Sequence, residues 1–137
     1  RSPECARCPV RSHCRARKAG TQAQLPVKLR KTVPVGIEKS LLLLRRNGSL
    51  LLWQRDAGSR RLPGFWELPE REQIPDAALD GPPVAVVRHT ITHHRYTFAV
   101  YRAEAADIPA GFVWMPVDRL AALPLSTVAR KALGTVR

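Results

Sequence analysis

Residues 37–55 read IEKSLLLLRRNGSLLLWQR, two leucine-rich runs on either side of the dipeptide Asn47-Gly48. Asparagine and glycine tolerate the positive φ that both central residues of a type I′ turn require, so this dipeptide is a strong hairpin signal. The pattern predicts two strands, residues 37–45 and 49–55, that pair antiparallel across the turn.

The chain after residue 55 continues in short elements separated by proline-rich and polar loops. Alternating apolar residues predict strands, and a serine before an alanine- and lysine-rich run predicts a capped helix. The predicted elements are a compact aromatic turn with a short strand at 62–69, a loop at 70–83, strands at 84–90 and 94–103 joined by a bend at 91–93, a short strand at 112–115, a helical turn at 116–122 and a helix that Ser126 caps and that ends at Gly134. We therefore expect an α+β fold, a small mixed sheet with one or two helices.

Composition limits the size and the partners of this protein. A chain of 137 residues with 45% hydrophobic content can bury one modest core, so we expect one domain plus an appendage. The net charge of +12 favours a phosphate polyanion as partner. Apolar runs are far shorter than the roughly 20 residues that span a bilayer, so we expect no membrane association. Nine basic residues lie within residues 1–32 against the single acid Glu4: Arg1, Arg7, Arg11, Arg15, Arg17, Lys18, Lys28, Arg30 and Lys31.

All three cysteines of the chain, Cys5, Cys8 and Cys14, lie in this basic segment with the spacing C-x2-C-x5-C. Three thiolates are one short of the four that close a zinc site or a cubic iron–sulfur cluster. Either His13 completes the site or a fourth cysteine precedes Arg1, and we expect the latter. Free thiols, or a disulfide with a spare cysteine, are the alternatives without metal.

The cysteine spacing, with Pro3 before the first cysteine and Pro9 after the second, resembles the last three ligands of the C-x6-C-x2-C-x5-C loop of the endonuclease III and MutY DNA glycosylases. The resemblance implies a [4Fe-4S] cluster bound by the three cysteines, with residues 1–19 as the end of the cluster loop and residues 20–36 as an interdomain linker. It also implies that basic side chains of the loop contact DNA phosphate. These are Arg7, Arg11, Arg15, Arg17 and Lys18.

Residues 51–55 and 64–69 resemble the opening of a Nudix domain, which implies a Nudix-like fold for residues 37–137. A Nudix hydrolase also carries G-x5-E-x7-R-E-x2-E-E-x-G, because several carboxylates on one helix must bind divalent metal for attack on a pyrophosphate. Gly64 and Glu70 fit G-x5-E. The later positions hold Ala78-Leu79 and Pro82-Pro83, or Ala85-Val86 and His89-Thr90 in the other register, so a hydrolase is not expected.

Residues 88–94, RHTITHH, are similar to the R-H-T-F-S-H segment of the MutY family. The resemblance implies that Ile91, Thr92 and His93, here called the recognition segment, contact 8-oxoguanine opposite the target adenine. Isoleucine stands where the family has phenylalanine. Without the resemblance, a Thr-His pair at a bend between strands is more often turn chemistry than a binding site.

An iron–sulfur loop, a connector and a Nudix-like domain together resemble the C-terminal part of the adenine DNA glycosylases. The resemblance implies a monomeric base-excision repair protein that binds double-stranded DNA containing 8-oxoguanine:adenine or guanine:adenine mispairs. In the family, a glutamate and an aspartate of the helical domain cleave the glycosidic bond of the extruded adenine. Those carboxylates would precede residue 1, so this chain alone is expected to be inactive. If the source is bacterial, we expect the protein to be cytoplasmic and associated with the nucleoid. The alternative is a zinc-stabilised nucleic-acid-binding module without enzymatic activity, with His13 as the fourth ligand.

Overall fold

The computed structural model describes residues 3–27 and 33–136, which form two compact units, Arg1–Val33 and Pro34–Arg137. Residues 28–32 of the predicted linker lie outside the described residues. No helix in the described part of the chain is long and apolar enough to cross a membrane.

The first unit is built from tight turns between residues 5 and 13, followed by the one-turn helix α1 (Arg15–Lys18) and a 3₁₀ turn at Gln22–Gln24. Backbone hydrogen bonds such as Arg11 N to Cys8 O (3.1 Å) and Cys14 N to Arg11 O (3.4 Å) close these turns. The predicted loop is therefore a series of turns that leads into a short helix. Local backbone hydrogen bonds stabilise these turns.

The second unit contains, within its described residues, eight strands, three of them only two residues long, and one longer helix. They are β1 (Val35–Leu43), β2 (Arg45–Arg46), β3 (Ser49–Gln54), β4 (Trp66–Glu67), β5 (Ala78–Leu79), β6 (Ala85–Ile91), β7 (His94–Glu104), β8 (Phe112–Pro116) and α2 (Thr127–Thr135). In the first sheet, β7 pairs parallel with β1 and antiparallel with β5 and β6. In the second, β3 pairs antiparallel with β2, β4 and β8.

The hairpin predicted at Asn47-Gly48 is present, with φ of 46° and 72° at its two central residues. Its ladder is short, because only Arg45 and Arg46 pair with β3 in register. The prediction that residues 37–45 pair antiparallel with 49–55 is therefore wrong beyond the turn. Instead, β1 runs parallel to β7 for nine register positions, from Val35 opposite His94 to Leu43 opposite Arg102.

The reason for this sheet switch lies in the leucine run itself. Residues 41–44 are all buried, and a strand with no alternation must bury both of its faces. Leu41 and Leu43 pack into one core cluster with Phe98 and Val100. Leu42 and Leu44 pack into a second cluster, against Leu51, Ile74, Ala77 and Ala103. A strand that is buried on both faces must lie in the interior of the molecule. A two-stranded hairpin alone would leave one of its faces exposed.

Most of the other predicted elements agree with the structure. The exceptions are residues 70–83 and the predicted linker 20–36, in which Gln22–Gln24 form a 3₁₀ turn and Val35 and Gly36 already belong to β1. Strands β6, β7 and β8 lie within a residue or two of their predicted bounds, and a 3₁₀ helix occupies Val117–Ala122. The predicted loop at 70–83 contains a 3₁₀ turn at Arg71–Gln73 and the short strand β5, which extends the first sheet beside β7. Two-residue strands carry too little periodicity to be predicted from sequence.

Ser126 caps α2 as predicted. Its side chain accepts a hydrogen bond from the backbone N–H of Ala129 (3.0 Å) and donates one to the Glu67 carboxylate on β4. The residue is only 2% exposed. Ala129 and Ala132 of α2 are fully buried in the first core cluster. Since Ser126 also binds Glu67 of β4, the cap joins the start of this packed helix to the sheet.

We expect Ser126→Ala to lower the free energy of unfolding by about 1 to 2 kcal/mol, since an N-cap is lost and Glu67 loses a buried partner. Urea unfolding followed by tryptophan fluorescence measures this. Thr127→Ala, at the next and exposed position, is the control and should change stability by less than about 0.5 kcal/mol. Equal effects of the two changes would show that the cap does not stabilise the helix.

Candidate nucleic-acid interface

The recognition segment forms the tip of the β6–β7 hairpin. The last register pair is Ile91 opposite His94, so Thr92 and His93 are the two residues of the turn. Both are exposed, and Ile91 is half-buried. Thr92 has φ of 55°, a conformation that is unusual for a β-branched residue and is strained. The structure thus brings the three predicted residues together at a projecting turn.

Hydrogen bonds fix the backbone of this turn and leave its side chains outside. The N–H of Val35, the first residue of β1, donates to the carbonyl of His93 (2.9 Å). The Thr92 hydroxyl donates to the carbonyl of Ile91 (2.7 Å), and its oxygen lies 3.4 Å from Nδ1 of His93. The His93 ring lies against that of His94, with 4.1 Å between centroids. Thr92 therefore presents an oxygen, and His93 a ring edge, at the tip.

Ile91 differs from its two neighbours because its side chain lines a cavity of about 290 Å³ beneath the hairpin. Strand alternation places His89, Tyr96 and Phe98 on the same wall. The Tyr96 and Phe98 rings are stacked, with 5.7 Å between centroids. The other walls are contributed by β1, β3, β4, the loop before β4 and the start of α2.

Two carboxylates line this cavity, and both have basic partners. Oε1 of Glu67 accepts from Nε of Arg55 (2.9 Å), while Glu70 forms an ion pair with Lys39. Glu70 also caps the 3₁₀ turn at Arg71–Gln73. Sequence reasoning did not find Lys39 and Arg55 as partners, because nothing in the local pattern shows that β1 and β3 converge on the Glu67–Glu70 segment.

The segment in which a Nudix hydrolase carries its catalytic helix has another structure here. Residues 70–83 are all described, and they hold one 3₁₀ turn and two strand residues but no α-helix. In the described part of the chain no three His, Cys, Asp or Glu side chains lie close enough together to hold a metal ion. Metal-assisted pyrophosphate hydrolysis needs several carboxylates on one rigid element, which these residues do not provide.

The predicted metal ligands Cys5, Cys8 and Cys14 are each half-buried, while the other described residues from Pro3 to Arg15 are exposed. The thiols thus turn inward, whereas His13 stays outside. Their chemistry fits a thiolate-bound centre such as an iron–sulfur cluster or zinc. Their number does not fit, because a four-ligand centre needs one more donor, and the described residues do not gather even three at one point. The metal assignment stays a prediction.

The predicted phosphate contacts are exposed but not equivalent. Nη1 of Arg7 lies 3.6 Å from Oε2 of Glu4, and Nη1 of Arg11 donates to the carbonyl of Ala6 (2.9 Å). Arg15, Arg17 and Lys18 belong to α1, where Arg15 and Lys18 are three residues apart and share a side of the turn. The three helical cations are thus better placed to meet an external anion.

Comparison with known proteins shows the family of the second unit. The family described as NUDIX domain matches residues 40–135. The chain therefore belongs to the Nudix domain family, and the expected α+β, Nudix-like fold is confirmed.

Solved structures show the same fold. The MutT protein of Methanosarcina mazei has 18% identity and a TM-score of 0.61, over 77% of this chain and 96% of that chain. A MutT NUDIX hydrolase of Burkholderia pseudomallei has 23% identity and a TM-score of 0.60, over 74% and 98%. The C-terminal domain of mouse MUTYH, solved in complex with human PCNA, has 20% identity and a TM-score of 0.54, over 72% and 85%. At these identities the likeness is one of fold.

We expect the 137-residue chain, purified in air, to lack a stable [4Fe-4S] cluster, because three thiolates leave one iron without a protein ligand. Visible absorption together with iron and zinc analysis measures this, and Cys14→Ser provides the baseline for metal held by the thiols. Four tightly bound irons per chain would contradict the prediction. One zinc per chain that is lost in both Cys14→Ser and His13→Ala would favour the zinc module.

Proposed function

We propose that this chain is the C-terminal part of an adenine DNA glycosylase, and that it recognises 8-oxoguanine opposite adenine while a preceding helical domain removes the adenine. The observation that carries the proposal is the two-residue turn of the β6–β7 hairpin, which presents Thr92 and His93 outside the sheet on a fixed backbone. A projecting, anchored turn can enter a base stack without unfolding.

The chemistry of the turn suits the lesion. 8-Oxoguanine differs from guanine chiefly by a hydrogen-bond donor at N7 and an oxygen at C8. Because the Thr92 hydroxyl hydrogen is used by the Ile91 carbonyl, its oxygen can act as the acceptor that the N7 donor needs. A neutral His93 can donate from one ring nitrogen and accept at the other.

One further observation favours the proposal over a Nudix hydrolase, and a second is consistent with it. Residues 70–83 form no α-helix, and the two carboxylates of the cavity are held in ion pairs, so the fold is retained without a helix that could present several carboxylates to metal. The C-terminal domain of mouse MUTYH has the same fold. The reaction itself belongs to the proposed helical domain, so this chain contributes binding and recognition.

With the catalytic domain restored, we expect Thr92→Ala and His93→Ala to reduce the preference for 8-oxoguanine:adenine over guanine:adenine. Each lost hydrogen bond should cost about 1 to 3 kcal/mol of discrimination. Single-turnover adenine release from the two substrates measures the preference, and thermal unfolding checks that each variant is folded.

Thr92→Ser is the matched control, because it keeps the hydroxyl and should keep most of the preference. Equal losses on both substrates, or loss of folding in every variant, would assign Thr92 and His93 to turn formation alone. A large loss in Thr92→Ser would show that the methyl group or the strained backbone, rather than the hydroxyl, determines recognition.

The basic segment of the first unit is proposed to bind DNA phosphate without regard to sequence. If about five phosphates are neutralised there, it contributes about −4 to −5 to the slope of log K against log salt. We expect Arg15→Ala and Lys18→Ala each to weaken binding to all duplexes alike and to make the slope shallower by about 1. Fluorescence anisotropy with a labelled duplex over a range of salt concentrations measures both quantities.

Arg119→Ala removes one exposed cation from the 3₁₀ helix of the second unit and controls for the change in net charge. It should leave the slope unchanged. A slope near zero for the unmodified chain would show that binding is not electrostatic and would remove the assigned role of the first unit.

A further inference from the structure

The β6–β7 hairpin up to Ala103, and helix α2, carry cations and no carboxylate, and Glu104 at the end of β7 is the first acid that follows. Residues 81–103 contain Arg88, Arg95 and Arg102 and no Asp or Glu, and residues 119–136 likewise contain only basic charged residues. These two stretches pack together through β6 and α2. Elsewhere in the second unit, acidic residues are interspersed with basic ones.

Arg88 and Arg95 share one face of the hairpin. Arg88 lies opposite Thr97 and Arg95 opposite Thr90, so the two arginines are diagonal neighbours on adjacent strands. Alternation puts them on the face away from the cavity, which His89 and Tyr96 line. Both arginines are exposed, and Arg95 is three residues from Thr92.

Two more cations lie on helix α2, which packs against the same strand. Helix α2 buries Ala129 and Ala132 in the core, so Arg130 and Lys131 are exposed. Nζ of Lys131 lies 3.5 Å from the carbonyl of Arg88, at the edge of β6 that pairs with no other strand in the described part of the chain. Cations thus lie on both sides of β6.

Acidic neighbours of these four cations are few. The ion pairs found within the described residues use Arg7, Lys39 and Arg55 as their bases. On the outer face of the first sheet, the nearest carboxylate by register is Glu38, which is separated from Arg88 by Thr97 of β7. The local charge therefore attracts an anion over the part of the hairpin that leads to its tip.

A hairpin whose tip enters a base stack must pass the sugar-phosphate backbone, so phosphates flank it on both sides. We infer that Arg88 and Arg95 on one side, and Arg130 and Lys131 on the other, bind the DNA phosphates next to the base at the tip. This surface rests on the proposed function, and it makes the second unit a DNA-binding element in its own right. Phosphate contacts of this kind set the register of the tip and carry no sequence information.

The test uses the whole chain and a short DNA duplex, either fully paired or with a single 8-oxoguanine:adenine pair, over a range of salt concentrations. Arg88→Ala and Arg95→Ala should each make the slope of log K against log salt shallower by about 1, and the double change at Arg130 and Lys131 should do so by about 2. Each lost contact corresponds to a fall in affinity of about eightfold at about 0.1 M salt, alike for both duplexes.

Arg102→Ala is the matched control, because Arg102 is exposed on β7 but lies seven residues beyond Arg95, roughly 23 Å further from the tip. It should leave the slope unchanged. Arg88→Lys should retain the slope of the unmodified chain, since it keeps the charge. Thermal unfolding confirms that the variants are folded.

Unchanged slopes in all three variants that remove cations, or an equal change in Arg102→Ala, would overturn the inference. If Thr92→Ala still reduces the preference for the lesion in that case, the proposed function stands and the surface alone is wrong. If the cation variants behave as expected while Thr92→Ala and His93→Ala have no effect on preference, the surface stands and the recognition segment fails. A chain that does not bind duplex DNA at all would overturn both.

Discussion

The parallel pairing of β1 with β7 is the constraint on which the second unit depends. Nine consecutive register positions join strands that are more than 50 residues apart in the chain, and they place a fully buried leucine run between two core clusters. The same pairing ends at the tip of the β6–β7 hairpin, where the N–H of Val35 donates to the carbonyl of His93. One ladder therefore forms the core and fixes the recognition segment.

The cavity shows how the fold is held together in a chain whose residues 70–83 form no α-helix. Glu67 connects Arg55 on β3 with Ser126 at the start of α2, and Glu70 connects Lys39 on β1 with the turn that follows. The two carboxylates of the cavity thus join strands, a turn and a helix. Part-buried ion pairs of this kind fix geometry more surely than they add stability.

Local patterns predicted most of the elements, and non-local contacts account for what they missed. The positive φ that Asn47 and Gly48 tolerate, the cap at Ser126 and the alternation of β6 and β7 are all properties of a few adjacent residues. The pairing partner of β1 is not determined by adjacent residues, because a buried leucine run can pair with any of several strands. For the candidate site, the flanking strand patterns located the turn at 91–93 and the resemblance suggested its role. The separation of the cavity-lining Ile91 from the exposed Thr92 and His93 follows from strand register. The roles of the recognition segment and of the cysteines remain predictions.

Under the proposed function, the left-handed backbone of Thr92 affects how fast the protein can examine DNA. A turn held at positive φ, with its carbonyl tied to β1 and its hydroxyl tied to its own backbone, has few other conformations to visit. Contact with a base pair then restricts few motions of the turn, so the conformational entropy lost in each encounter is small. A protein that must test many undamaged pairs for every lesion benefits from this rigidity, because each wrong pair can be released without a step in which the turn refolds.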